Sequence, residues 1–191
     1  MAMKPGERRL QILQTLAAML ENPRSEKVTT AALAAKLGVS EAALYRHFAS
    51  KAQMFEGLIE FIESSVFTLV NQILERDASG AEQTQRIVTV LLQFGEKNPG
   101  MTRVMVGDAL VFEHERLIAR MNQFFDRVES QLRQCLRAAA EAAGSAQPTV
   151  EANAQASALT AFTVGRLQRY ARSGFKRSPT EHLEHGLRLF V

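Results

Sequence analysis

Gly38 limits the fold of this chain more than any other residue. It lies in the stretch TTAALAAKLGVSEAALYRHFASK, from Thr29 to Lys51, with helical patterns on both sides. Thr29 or Thr30 can N-cap AALAAKL, Gly38 can close it in the left-handed conformation, and Ser40 can cap EAALYRHF. Two short helices separated by Leu-Gly-Val-Ser make a helix-turn-helix. Ahead of them, Leu10, Ile12, Leu13, Leu16, Ala17 and Leu20 recur near helical spacing from about Glu7 to Glu21, and Asn22-Pro23 ends that pattern.

The rest of the chain reads the same way. From about Ser50 to Arg76, the residues Phe55, Leu58, Ile59, Ile62, Val66, Leu69, Val70 and Ile73 share one broad stripe, and RDASGAE breaks it. TQRIVTVLLQFGEK is a further helix, stopped by Asn98-Pro99-Gly100, and MTRVMVGDAL reads as a short connecting segment. A second long helix is expected from about Val111 to Ala140. After the linker-like AAGSAQPTVE come a helix over NAQASALTAFTVGRLQRYARS and a final one over SPTEHLEHGLRLF. No internal repeat and no strand pattern of useful length stands out. The expected fold class is all-α: a three-helix head, residues 1–51, on a larger helical body, residues 52–191.

Charge separates the two parts. Residues 1–51 hold eight Lys and Arg against four acids, and the other 140 hold fifteen against sixteen, so the whole net charge of +3 arises in the head. A basic helix-turn-helix on a near-neutral body points to an anionic partner, double-stranded DNA. In such a unit the second helix enters the major groove with its N-terminal residues near the base edges. The candidate DNA-binding residues are Thr29, Thr30, Ser40, Glu41, Ala43, Tyr45, Arg46, His47 and Lys51. Tyr45, His47, Lys51 and a threonine at the preceding helix start are types that reach phosphates. Arg46 can pair with guanine through two hydrogen bonds. Ala42 and Ala43 are small enough to let the backbone approach, while Leu44 and Phe48 belong to the core side.

Other function classes find little in the sequence. There is no Gly-rich phosphate loop, no G-x-S-x-G and no HExxH, so no enzyme activity and no catalytic residue is expected. No Cys or His cluster suggests a metal site, and no cofactor is expected. The one cysteine, Cys135, reads as a buried or half-buried thiol. The N-terminal segment lacks a signal-like apolar run, and no later segment looks like a membrane span. The compartment expected is the cytoplasm, in association with the nucleoid.

Two residue patterns remain. Phe61 lies about 120° from the centre of the stripe on its helix, so it serves either a second packing face or a partner. Near the C-terminus, Ala156, Ala158, Ala161 and Gly165 allow close helix approach, while Leu159, Phe162, Leu167 and Tyr170 offer apolar area for a homodimer.

GVSEAALYRHFASKAQMF, with its L-Y-x-H-F-x-x-K core, resembles the head of TetR-type regulators. LIEFIE at 58–63, FGEKNPGMTRVMVGDALVFE at 94–113 and RMNQFFDRVESQLRQ at 120–134 resemble the nucleoid occlusion factors of that fold. The resemblance implies a homodimer held through C-terminal helices that binds specific chromosomal sites. It also implies contact with the C-terminal tail of FtsZ, the tubulin-like division GTPase, and a block on division rings over the nucleoid. The residues implied for that contact are Phe61, Lys97 and Asn98. Lys97 stands where the family commonly has arginine, and Leu69 where a basic residue is expected. The alternative is a ligand-responsive repressor of the same fold, although a small-molecule ligand is not the first expectation.

Overall fold

A computed structural model describes residues 5–22, 27–76 and 79–191, and every regular element among them is helical. The head holds α1 (Pro5–Leu20), α2 (Thr30–Leu37) and α3 (Glu41–Tyr45). The body holds α4 (Lys51–Leu74), α5 (Gly80–Lys97), α6 (Pro99–Met105), a 3-10 turn at Asp108–Leu110, α7 (Glu115–Ala142), α8 (Pro148–Arg172) and α9 (Leu183–Leu187). The breaks expected at Pro23 and at Asp77-Ala78 lie outside the described residues, as do Lys4, Arg24 and Glu26 of the head's charge count.

The head is set by short-range bonds. Thr29 Oγ1 accepts the Ala32 amide at 3.1 Å, and Ser40 Oγ accepts the Ala43 amide at 3.2 Å, so both expected N-caps are made. Gly38 adopts φ 66° and ψ 34°, which lets its amide and that of Val39 return to the last carbonyls of α2. α3 is shorter than the expected EAALYRHF. The Leu44 carbonyl takes both the His47 and Phe48 amides, at 2.9 and 3.1 Å, and the resulting turn drops Phe48 into the core.

α4 joins the two parts. Its stripe of Phe55, Leu58, Ile59, Ile62, Val66, Val70 and Ile73 is buried, while Gly57 on the opposite side lies under Leu13 of α1 and the Phe48 ring. Leu69 departs from expectation and is 39% exposed. Leu58, three turns earlier on the same edge, is buried. By length and composition alone α4 is apolar enough to cross a membrane, a test that a core helix passes as well. Its apolar stripe instead forms the core that α1, α5 and α7 close over.

Asn98-Pro99-Gly100 stops α5 and also starts a helix. Pro99 occupies the first turn, where its missing N–H is no loss and its φ is already helical. MTRVM is therefore α6 and not a connecting segment. α7 begins at Glu115, later than expected, because His114 Nδ1 accepts the Arg116 amide at 3.3 Å. Val111 and Phe112 are left in an exposed corner ahead of it.

α8 packs along α7 as the longest pairing in the body. Leu159, Leu167 and Tyr170 point into the protomer and are at most 5% exposed, so the area expected of them for a dimer is used inside the chain. The final helix shrinks to the five residues of α9, and the segment around it folds back onto α8. Phe190 packs against Phe162 at 5.3 Å between ring centres, and Ser178 and Thr180 donate to the Glu96 carboxylate. Burial, followed by the charge of Glu96, raises the Tyr170 phenol above its usual range, and Tyr170 donates to the Glu96 carbonyl at 3.0 Å. Cys135 is buried, and burial pushes its thiol up as well.

Candidate DNA interface and partner face

α3 turns its polar side outward. Tyr45 is 45% exposed, Glu41, Ala42 and Arg46 are exposed, Ala43 and His47 are half-buried, and Leu44 and Phe48 are buried. The five-residue helix has only one inward edge, and Leu44 fills it. Thr29 sits exposed at the start of α2, and the hydroxyl of half-buried Thr30 donates to Glu41 Oε2 at 2.6 Å. That bond ties the start of α2 to the start of α3, so the predicted DNA-binding residues of both helices form one continuous patch.

Two arginines of α1 flank this patch. Arg9 donates to the His47 carbonyl at 2.5 Å and stacks over the Phe48 ring at 4.1 Å, which fixes the turn after α3. Arg8 and Arg46 line the groove between α1 and α3. The Thr29 and Ser40 oxygens each accept one helix-cap amide, and each hydroxyl hydrogen stays available to donate to a phosphate.

Lys51 is placed differently from the other predicted contacts. Its ammonium pairs with Glu113 of the corner before α7, with the lysine side chain 19% exposed and the glutamate 9%. Lys27 donates to the neighbouring Phe112 carbonyl at 3.2 Å, and Arg103 donates to the carbonyls of Leu20 and Asn22. Sequence reasoning singled out none of these three ties. Their partners lie 62 to 85 positions away, and no local period signals such a pairing.

The three predicted partner residues lie on neighbouring helices. Phe61, on the head-proximal half of α4, is 42% exposed although it sits in a helix whose stripe is buried. Lys97 is exposed at the last turn of α5. Asn98 follows as its C-cap and donates from Nδ2 to the Phe94 carbonyl at 2.8 Å. That bond commits one of the two Asn98 amide hydrogens to the helix end. Leu69 shares the exposed side of α4 with Phe61 but offers no charge.

Comparison with known proteins matches two regions of the chain. Residues 25–58 fit bacterial regulatory proteins of the tetR family, and residues 81–191 fit the SlmA-like form of the tetracyclin repressor-like C-terminal domain. The nucleoid occlusion factor SlmA of Photobacterium profundum is 50% identical over 183 residues, covering 95% of this chain and 93% of its own. That of Salmonella newport is 51% identical over 178 residues, covering 93% and 89%. Among solved structures, the TetR family regulator PfmR from Thermus thermophilus superposes with a TM-score of 0.74 at 21% identity, over 94% of this chain and 96% of that one. The regulator FadR from Bacillus subtilis, solved with stearoyl-CoA, gives the same TM-score at 12% identity, over 95% and 97%. Those two likenesses carry the fold alone. With about half its residues shared along nearly the full length of curated relatives, the chain belongs to the SlmA nucleoid occlusion factor family, built on the tetR-type DNA-binding fold.

Proposed function

We propose that this chain binds specific chromosomal sites as a homodimer and, on DNA, holds the C-terminal tail of FtsZ so that division rings do not assemble over the nucleoid. Residues 1–51 are the DNA-binding unit and residues 52–191 the dimerisation and partner-binding unit. Thr29, Tyr45, His47 and Lys51 contact phosphates, Arg46 reads guanine, and Thr30, whose hydroxyl donates to Glu41, belongs to the interface through that bond. The dimer forms through α7 and α8, whose outward side includes Ile118, Val150, Ala158 and Ala161, all exposed. The protein would act in the cytoplasm, at the nucleoid.

One observation carries the partner reading: Phe61 stays exposed on a helix whose other large apolar side chains, Leu69 apart, are buried or half-buried. An aromatic anchor on α4, with an asparagine and a lysine at the end of the α5 helix packed against it, suits an extended peptide with an apolar side chain and an acidic group. The ligand-responsive repressor is less well supported. Leu91, Leu92, Phe124, Leu159 and Leu167 fill the space between α5, α7 and α8 and are each 0% exposed.

The test is binding of a fluorescent FtsZ C-terminal tail peptide, with and without a duplex selected for tight binding. Binding that the duplex strengthens and Phe61→Ala abolishes is the expected result. No binding under either condition overturns the partner reading and returns the repressor reading to first place.

A further inference from the structure

The outward face of α3 carries one carboxylate, and its place there requires an explanation. Glu41 opens the helix and is exposed. Among the described residues the salt bridges leave it out, and its side chain meets only the Thr30 hydroxyl, 2.6 Å from Oε2. A carboxylate on a surface that must meet a DNA backbone is repelled by every nearby phosphate. Something in the groove has to offset that repulsion.

Structural roles account for little of it. An acid in a first helical turn is favourable by a few tenths of a kcal/mol when exposed, and here the helix has only five residues. The Ala43 amide is already satisfied by Ser40, so Glu41 is not needed as a cap. A bond from a half-buried hydroxyl to an exposed carboxylate adds little to the hold between α2 and α3, which Leu33 and Leu44 already secure by burial at 1% and 0% exposure.

The major groove supplies a specific reward. Cytosine presents its N4 amino group there as a donor, and a carboxylate is its natural acceptor. Glu41 is on the N-terminal turn of the helix that enters the groove, where base contacts concentrate. Ala42 and Ala43 beside it add no bulk to hold the backbone away. Thr30 occupies Oε2 and fixes the carboxylate's orientation, which leaves Oε1 to accept.

We propose that Glu41 is a specificity-determining residue that accepts a hydrogen bond from the N4 amino group of a cytosine, with Thr30 as its positioning residue. This rests on the DNA-binding reading above and is independent of the FtsZ contact.

The experiment is sequence selection by the full-length protein from a randomised duplex pool, for the wild type, Glu41→Gln and Thr30→Val. The wild type should enrich cytosine at one position of each half-site. Glutamine keeps the size and the acceptor for Thr30, but its amide pairs with both N6 and N7 of adenine, so Glu41→Gln should move that position from cytosine to adenine. The shift should be at least about tenfold in relative enrichment, with the other positions unchanged. Thr30→Val should keep cytosine but blur the preference, because the carboxylate is no longer held. An unchanged preference in Glu41→Gln, with its melting temperature intact, overturns the proposal and leaves Glu41 a brace. A wild type that enriches no sequence overturns the DNA-binding reading itself, and that result appears before either variant is compared.

Discussion

Gly38 and Gly100 show how differently the head and the body use the same residue. At Gly38 the backbone has φ 66°, and an added Cβ would meet nothing within 4 Å. At Gly100 the turn from α5 into α6 needs no special backbone angle, but a Cβ would fall 2.0 Å from the Ala17 carbonyl oxygen of α1. The head needs glycine for conformation and the head–body junction needs it for space. The contrast runs through the molecule: local caps shape α2 and α3, while close approach between distant segments shapes the body.

Gly100→Ala is the sharpest way to break that contrast. Backbone cannot retreat as a side chain can, so α6 must shift off α1, at a cost of about 3 kcal/mol or more. Gly38→Ala should cost only about 1–2 kcal/mol, the ordinary penalty for a Cβ in the left-handed region. Urea unfolding of both variants, with m-values compared, measures the difference. Equal losses would mean that the junction yields as easily as the turn.

The same contrast explains what could be read from the sequence. Thr29, Gly38 and Ser40 announce their roles because each bond they make is within five residues, inside the reach of a sequence pattern. The stripe of α4 is legible by period, but the exposure of Leu69 is not, since period gives a residue's edge and not which part of that edge a neighbouring helix covers. Pro99 reads as a stop, yet it also starts α6. Both meanings of proline are local, and the choice between them lies in the packing of Gly100 on α1. The outward face of α3 is legible residue by residue. The Glu113 partner of Lys51 is not, because the pairing is a property of the folded junction.

Lys51 is where the two modes of construction meet, and its removal has the next largest effect. Lys51→Ala leaves the Glu113 carboxylate, 9% exposed, without its counter-ion, and should cost about 2 kcal/mol once the lysine's residual exposure is allowed for. The exchanged pair, Lys51→Glu with Glu113→Lys, should recover much of that stability. It should not recover DNA affinity if Lys51 also reaches a phosphate, and the dependence of affinity on salt should be shallower by about 0.9 in log–log slope. Thermal melts and salt titrations of the two variants separate the strut from the phosphate contact. Full recovery of DNA binding by the exchange would remove Lys51 from the DNA interface and leave it wholly to the junction.

The smallest effect on stability is expected at Phe61, and that smallness is informative. Phe55, six residues earlier on α4, is 1% exposed, and truncating a buried phenylalanine costs about 3–5 kcal/mol. Phe61 is 42% exposed and its ring does not belong to the core, so Phe61→Ala should change the unfolding free energy by less than about 1 kcal/mol. A loss close to that of Phe55→Ala would show that the ring is a packing element between head and body, whatever its exposure. A small loss, together with unchanged DNA affinity, leaves the ring free of structural duty. Its place on α4 then needs a partner outside this chain to explain it, and the peptide titration identifies that partner or excludes it.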